Sequence, residues 1–182
     1  MLNWPNRLTI ARILLVPLFI ILLTYRFSSW ALAVFLIAGA TDALDGALAR
    51  VWNQRTRLGT FLDPLADKLL LTAAFITLAA LQAIPLWGAI LVASRDVILV
   101  LGTAVLHILH GRVEVAPSLL GKATTVAQLG YVILVQVSMA AQGGDRLLWP
   151  ALLLAIVLTV VSGMDYVYRG VRMLGTSSQS SP

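Results

Sequence analysis

The residues best suited to chemistry in this sequence are four aspartates between positions 42 and 67, half of the chain's 8 acidic residues. They lie in an otherwise apolar stretch, and charge at membrane depth costs enough free energy to indicate function. A single aspartate in a membrane helix is more often a proton relay or the partner of an Arg. Four at regular spacing, Asp42, Asp45, Asp63 and Asp67, favour a shared role.

With two small residues, these aspartates form two trios at helical spacing, one at i, i+3, i+7 and the other at i, i+4, i+8. The trios are Asp42, Asp45 and Ala49, and Gly59, Asp63 and Asp67. Each trio lies along one helix face, and two helices joined by a short polar link run antiparallel, so the faces can meet. Converging carboxylates repel one another unless a cation lies between them. Oxygen ligands without Cys suit Mg²⁺ or Mn²⁺ better than zinc.

The composition of the chain indicates the kind of protein in which this motif lies. Of the 182 residues 59% are hydrophobic and 12% charged, and the mean hydropathy is +0.91, so the chain is far more apolar than a soluble domain. The net charge of +5 could suggest nucleic acid, but no basic soluble patch with interleaved aromatic residues supports that partner. In a membrane chain, Lys and Arg instead mark the cytoplasmic side.

The hydropathy pattern predicts an all-α membrane protein with six transmembrane helices, each near the ~20 residues that cross a bilayer. A short interfacial segment, residues 1–9, precedes them. One membrane domain covers residues 1–174, and the Ser-rich residues 175–182 form a disordered tail. The predicted spans are about residues 10–26, 29–50, 60–82, 86–109, 121–141 and 147–168.

The basic residues predict an orientation for these spans. Six arginines fall on one side and only Arg26 and Arg146 on the other, which by the positive-inside rule places both termini and the acidic motif at the cytoplasmic face. The six are Arg7, Arg55, Arg57, Arg112, Arg169 and Arg172.

The motif Asp42-x-x-Asp45-Gly46-x-x-Ala49-Arg50, followed after eight residues by Gly59-x-x-x-Asp63-x-x-x-Asp67, resembles in full the signature of the CDP-alcohol phosphotransferase family. These are integral membrane enzymes of phospholipid synthesis. The resemblance implies transfer of a phosphatidyl group from CDP-diacylglycerol to an alcohol with release of CMP, and a homodimer in the membrane.

The resemblance also implies roles for individual residues. Two Mg²⁺ or Mn²⁺ ions bridge the aspartates to the CDP diphosphate, and Asp67 is in addition the general base. Arg95 and Lys122 are the remaining cations placed to reach the acceptor or its phosphate. Snorkelling, or pairing with Asp96, is the alternative for both, although Arg95 and Asp96 point in different directions on a helix and need not pair. The implied metal ligands are Asp42, Asp45, Asp63 and Asp67, and the implied CDP-binding residues are Gly46, Ala49, Arg50, Gly59, Asn6 and Thr9, with Arg12 beside them.

The choice between two acceptor alcohols is made by a narrow margin. The stretch from Trp52 to Lys68 resembles the branch that uses glycerol, above all the enzymes that use sn-glycerol 3-phosphate. Those enzymes have Ala-Arg-Glu and Gly-Lys-x-Lys-Thr where this chain has Ser94-Arg95-Asp96 and Gly121-Lys122-Ala123-Thr124-Thr125. The CDP-dependent cardiolipin synthases, which accept phosphatidylglycerol, resemble the chain better at these positions. Glycerol 3-phosphate is the first choice and phosphatidylglycerol the alternative.

A divalent-cation or proton-coupled transporter is the alternative of another class, because acidic faces also line ion paths. Transporter sites usually lie at mid-membrane between inverted repeats, whereas these aspartates lie at span ends and no repeat is visible. His107 and His110 are predicted to be interfacial residues. A bacterial inner membrane is the expected location.

Overall fold

The computed structural model describes residues 4–52, 59–110, 118–141, 143 and 145–177. Within these ranges the chain is all helical, as predicted, with six α-helices, one short 3-10 helix and no strand. The α-helices are α1 (Trp4–Thr24), α2 (Ser28–Trp52), α3 (Gly59–Ala80), α4 (Leu86–His110), α5 (Leu119–Ala141) and α6 (Leu148–Ser177); the 3-10 helix is Asp145–Leu147.

Two helices, α1 and α6, extend farthest beyond the predicted spans. The helix α1 begins at Trp4, so the predicted interfacial segment and the first span form one helix. Pro5 is tolerated because a proline in the first turn gives up an N–H that has no partner within the helix. At the C-terminal end, α6 continues to Ser177, so residues 175–177 of the predicted disordered tail are helical. The rest of the tail lies outside the described residues.

Contacts between Cα atoms divide the chain into two compact units, Met1–Leu86 with Val132–Asp145, and Trp87–Tyr131 with Arg146–Pro182. The helix α5 therefore contributes residues to both. The single membrane domain over residues 1–174 stays a prediction.

In the first unit, α1 packs against both α2 and α3, and α2 and α3 also touch each other. Its core contains Phe19 of α1 and Phe35 of α2, whose ring centroids are 5.5 Å apart at a tilt of 42°. Phe75 and Leu78 of α3 are also fully buried. The helices that carry the acidic motif are thus held by a common partner, α1.

Two tight turns in this unit end their helices in the same way. Arg26 and Gln82 have φ values of 61° and 59°, the left-handed conformation that usually requires Gly. After α1, the Phe27 N–H donates to the Leu22 carbonyl at 2.9 Å, and after α3 the N–H of residue 83 donates to the Leu78 carbonyl at 2.9 Å. These are Schellman bonds, which satisfy carbonyls that the helix end leaves free.

In the second unit, α4 and α6 run parallel. A Cβ on Gly88 would lie 3.4 Å from Leu152, and farther along both helices a Cβ on Gly102 would lie 3.1 Å from Tyr166. The helix α5 runs opposite to α6. A Cβ on Gly121 would lie 3.9 Å from the Ser162 hydroxyl, whereas the Thr124 hydroxyl, about one turn farther along α5, lies 3.0 Å from the Leu158 carbonyl, about one turn back along α6. Up, down and up is the order expected of three consecutive membrane spans.

The second unit buries several polar side chains and exposes many large apolar ones. Five polar residues are buried in it, while large apolar side chains of α4 and α6, such as Trp87 and Leu153, are exposed. Such a surface suits lipid, not water. The helices α4, α5 and α6 are each long and apolar enough to cross a membrane, whereas the apolar stretches of the described residues in α1, α2 and α3 are shorter. The five buried polar residues are Asp96, Thr124, Gln128, Thr159 and Ser162.

Candidate active site

The acidic motif lies in the C-terminal half of α2 and the N-terminal part of α3, the next helix along the chain. Asp42 and Asp45 are in the second half of α2, and Asp63 and Asp67 are in the first nine residues of α3. Both segments are helical through the motif, as the spacing requires. The side chains of these four residues lie outside the described part of the structure, so their convergence stays a prediction.

The predicted CDP-binding residues also lie on the packed helices of the first unit. Asn6, Thr9 and Arg12 belong to α1, three belong to α2, and Gly59 is the first residue of α3. The three on α2 are Gly46, Ala49 and Arg50. None of these side chains is described, but α1 touches both other helices, which is what a site drawing on all three would need.

The donor set decides whether a metal fits. Four carboxylates and no Cys form an all-oxygen set, which suits a hard divalent cation. Among the side chains that the structure describes, there is no group of three or more His, Cys, Asp or Glu that could hold an ion. That Asp42, Asp45, Asp63 and Asp67 hold the ion stays a prediction. The side chains of His107 and His110, the two histidines on α4, lie outside the described part.

Arg95 is the predicted site residue that the structure describes best. Its Nη1 lies 2.8 Å from Asp96 Oδ1 and its Nη2 donates to the Ser162 hydroxyl of α6 at 3.0 Å. The alternative of a pair with Asp96 is therefore the one that the structure shows for Arg95, because the long Arg side chain turns back toward its neighbour. Only 11% of the Arg95 side chain and 10% of the Asp96 side chain are exposed. The Arg95 Nε is buried and has no hydrogen-bond partner.

The start of α5 lies against this guanidinium group. Ser118 caps the helix by accepting the Gly121 N–H at 3.0 Å. A Cβ on Gly121 would lie 3.7 Å from Arg95 Nη2 and 3.9 Å from the Ser162 hydroxyl. We call Arg95, Asp96, Ser162 and Gly121 the Arg95 cluster; it joins three helices of the second unit.

Lys122 and Thr124 differ from one another in their surroundings. Lys122 is exposed, one residue after Gly121, and its role at a phosphate stays a prediction. Thr124 is fully buried, and its hydroxyl lies 2.8 Å from the Leu120 carbonyl and 3.0 Å from the Leu158 carbonyl of α6. The position at which this chain lacks the lysine of glycerol 3-phosphate enzymes is therefore a packing position between α5 and α6.

Sequence reasoning missed Ser162. Nothing local distinguishes this serine, which lies 67 residues from its partner Arg95. The one available signal is the pair Ser162-Gly163 in an apolar helix, because small and hydroxyl residues are common where membrane helices pack.

An apolar groove of about 460 Å³ lies between α4 and α6 beside this cluster. Ser94 and Arg95 contribute its main polar groups on α4, and Gly163 and Met164 line it from α6. The guanidinium of Arg95 thus has polar partners in Asp96 and Ser162, and the Arg95 side chain also lines this apolar groove.

Comparison with known proteins gives the same family as the motif does. The family model for CDP-alcohol phosphatidyltransferases matches residues 2–161. A Bacillus subtilis (strain 168) protein named CDP-diacylglycerol--glycerol-3-phosphate 3-phosphatidyltransferase is 36% identical over 98% of this chain and 100% of its own length. A probable phosphatidylglycerophosphate synthase of Mycobacterium tuberculosis (strain ATCC 25618 / H37Rv) is 34% identical over 98% of this chain and 87% of its own.

A cardiolipin synthase (CMP-forming) of Streptomyces coelicolor is 38% identical, over 68% of this chain and 60% of its own length. The predicted resemblance is therefore confirmed, and relatives of both acceptor types are similar to the chain. Members of the matched family generally depend on a divalent metal. With a model that covers residues 2–161 and relatives similar over nearly the whole chain, this protein belongs to the CDP-alcohol phosphatidyltransferase family of transferases.

Proposed function

We propose that the chain transfers the phosphatidyl group of CDP-diacylglycerol to sn-glycerol 3-phosphate, forming phosphatidylglycerophosphate and CMP. The complete aspartate motif on α2 and α3 carries this proposal. The Bacillus subtilis relative, similar over its full length, is named for this reaction and supports the choice of acceptor.

The reaction needs a positioned nucleophile and a leaving group that departs in line with it. The free hydroxyl of the acceptor attacks the phosphorus that bears the diacylglycerol. The bond from this phosphorus to the bridging oxygen breaks, and the oxygen leaves with CMP. Asp67 takes the proton of the attacking hydroxyl.

The other aspartates, Asp42, Asp45 and Asp63, would hold Mg²⁺ or Mn²⁺, and Asp67 would share a second ion. When bound, the metal neutralises diphosphate charge and acidifies the acceptor hydroxyl. Arg50 binds phosphate through its fork of donors, and Gly46, Ala49 and Gly59 leave space for the nucleotide, while Asn6 and Thr9 lie near it. Arg95 and Lys122 bind the phosphate of the acceptor.

The purified protein in lipid nanodiscs tests the reaction, with CMP release measured from CDP-diacylglycerol plus each acceptor. We expect release with glycerol 3-phosphate, lost on chelation and restored by Mg²⁺ or Mn²⁺. Release with phosphatidylglycerol alone would reject the first choice in favour of cardiolipin synthesis, the second candidate. Ser94-Arg95-Asp96, the buried Thr124 and the Streptomyces coelicolor relative favour this second candidate. Ion flux without CMP formation would instead indicate a transporter.

We further propose six membrane spans with both termini and the acidic motif at the cytoplasmic face of a bacterial inner membrane. The helices α1, α2 and α3 have 21, 25 and 22 residues, or about 32 Å or more at 1.5 Å per residue, which matches a hydrocarbon core of ~30 Å. The parallel course of α4 and α6 supports the alternation of spans.

The chain has no Cys, so single-cysteine variants test this orientation directly. We expect Asn53→Cys to react with a membrane-impermeant maleimide only after the cells are opened, and Gln82→Cys to react in intact spheroplasts. The opposite pattern would reverse the orientation. A homodimer is proposed from the family resemblance, and cross-linking in native membranes tests it.

A further inference from the structure

We propose that Ser162 is a positioning residue for the acceptor: it fixes the direction of the Arg95 guanidinium so that the Nε–H faces an oxygen of the acceptor phosphate. This inference rests on the proposed function and adds a residue beyond the aspartate motif. Ser162 also lies one residue beyond the part of the chain that the family model matches, residues 2–161.

The hydrogen bonds of Arg95 leave one of its three side-chain nitrogens, the buried Nε, without a partner. A guanidinium group has five N–H donors. Nη1 is paired with Asp96 and Nη2 with Ser162, but the Nε–H is buried without a partner. Burying a donor of a charged group without an acceptor is costly, so an acceptor atom is expected there when the site is occupied. A phosphate oxygen meets this need, because guanidinium and phosphate form strong, directed hydrogen bonds.

Ser162, more than Asp96, determines this direction. Asp96 follows Arg95 on α4 and therefore moves with the same helix. It neutralises the charge of the guanidinium without fixing the group to a second helix. Ser162 belongs to α6, is only 3% exposed and holds Nη2 at 3.0 Å. With one end of the planar group anchored on a second helix, rotation about the terminal bonds of Arg95 is restricted.

Gly121 leaves the space that this contact needs. Any side chain there would bring a Cβ to 3.7 Å from Arg95 Nη2 and 3.9 Å from the Ser162 hydroxyl, with the Ser118 hydroxyl at 3.3 Å. A larger side chain would therefore press on the pair of Arg95 and Ser162. Three helices together define where the guanidinium points.

The test is the kinetics of Ser162→Ala in nanodiscs, with CDP-diacylglycerol and whichever acceptor the unaltered chain uses. Because a hydrogen bond to a charged group is lost, we expect the KM for the acceptor to rise on the order of tenfold. The kcat and the KM for CDP-diacylglycerol should stay within about twofold. Ser162→Thr keeps a hydroxyl and should restore the acceptor KM.

Thr159→Val is the matched control, because it removes another buried hydroxyl of α6, one that accepts from Gln128 and donates to the Ala155 carbonyl. We expect it to lower Tm at least as much as Ser162→Ala without raising the acceptor KM. If Ser162→Ala itself loses its fold, Ser162→Cys replaces it, since a thiol has similar size but is a weak acceptor.

The outcomes separate this inference from the proposed function. An active unaltered chain together with an unchanged acceptor KM in Ser162→Ala would overturn the inference alone. An equal rise in the KM of both substrates, or in the Thr159→Val control, would overturn it too. An unaltered chain that releases no CMP with either acceptor would overturn the proposed function and the inference with it.

Discussion

The two polar regions of this protein are assembled in opposite ways. The acidic motif takes its aspartates from α2 and α3, which follow one another in the chain, and all four lie between positions 42 and 67. The Arg95 cluster joins side chains of α4 and α6 that are 67 residues apart, with Gly121 of α5 against them. Spacing along consecutive helices determines the first region, whereas the second depends on which helix faces meet.

This difference suggests a division of labour. The proposed reaction of the diphosphate depends on the acidic motif, and the proposed recognition of the acceptor depends on the Arg95 cluster. We therefore expect changes in the first region to abolish turnover and changes in the second to alter acceptor affinity. The predictions below test this contrast from the largest effect to the smallest.

Asp67→Asn should give the largest loss. An amide cannot accept the proton of the attacking hydroxyl, and removing a general base lowers rates about 10²–10⁴-fold. We expect CMP release to fall at least about a hundredfold while Tm stays close to that of the unaltered chain.

The matched control is Asp165→Asn on α6. Asp165 pairs with Arg169 at 2.9 Å on a partly exposed surface, so its loss should leave CMP release within about twofold. Full activity of Asp67→Asn would remove the base from the mechanism.

Arg95→Lys should reduce acceptor use without abolishing turnover. Lysine keeps the charge but lacks the planar fork, so it cannot hold Asp96, Ser162 and a phosphate together. We expect kcat/KM for the acceptor to fall about ten- to a hundredfold, with a smaller change for CDP-diacylglycerol. Equal losses for both substrates would contradict the separation of the two regions.

Thr124→Lys tests whether the lysine of glycerol 3-phosphate enzymes can be restored. Thr124 is fully buried between α5 and α6, so a charged side chain there should cost about 3 kcal/mol of stability. Its neighbour Thr125 is exposed, and Thr125→Lys should change Tm little. A stable Thr124→Lys protein with a lower KM for glycerol 3-phosphate would show that this position can serve recognition.

Gln82→Gly should have the smallest effect, and it should raise the stability of the protein. Gln82 has a φ of 59° at the end of α3, a conformation that Gly adopts without the steric cost of a Cβ. We expect a stability gain of about 0.5–1 kcal/mol and unchanged kinetics. A change in the KM of either substrate would show that this turn is coupled to the site.

Much of the fold could be predicted because hydropathy determines where membrane helices run. The predicted fourth span, 86–109, differs from α4 by one residue. The turns were less predictable, because Arg26 and Gln82 adopt a conformation usually signalled by Gly.

Part of the candidate site could likewise be predicted from the sequence, and part could not. Regular spacing identified the aspartates as candidates, and their role as ligands stays a prediction. Spacing could not identify Ser162 or the burial of Thr124, because both result from the approach of α6 to other helices. Helical direction could not decide between the alternatives for Arg95, because it describes the Cβ position and not where a long side chain ends, and the structure shows the pair with Asp96.

The hydrogen bonds along α6 have a consequence for assembly. Lipid tails are as apolar as leucine, so apolar surface alone discriminates weakly between alternative alignments of two inserted helices. The bonds to Leu158 and Thr159 from α5 and the bond from Arg95 to Ser162 lie within five consecutive residues of α6. A shift of α6 by a single residue would break the two bonds to the side chains of Thr159 and Ser162, so these bonds favour the observed alignment of the helix.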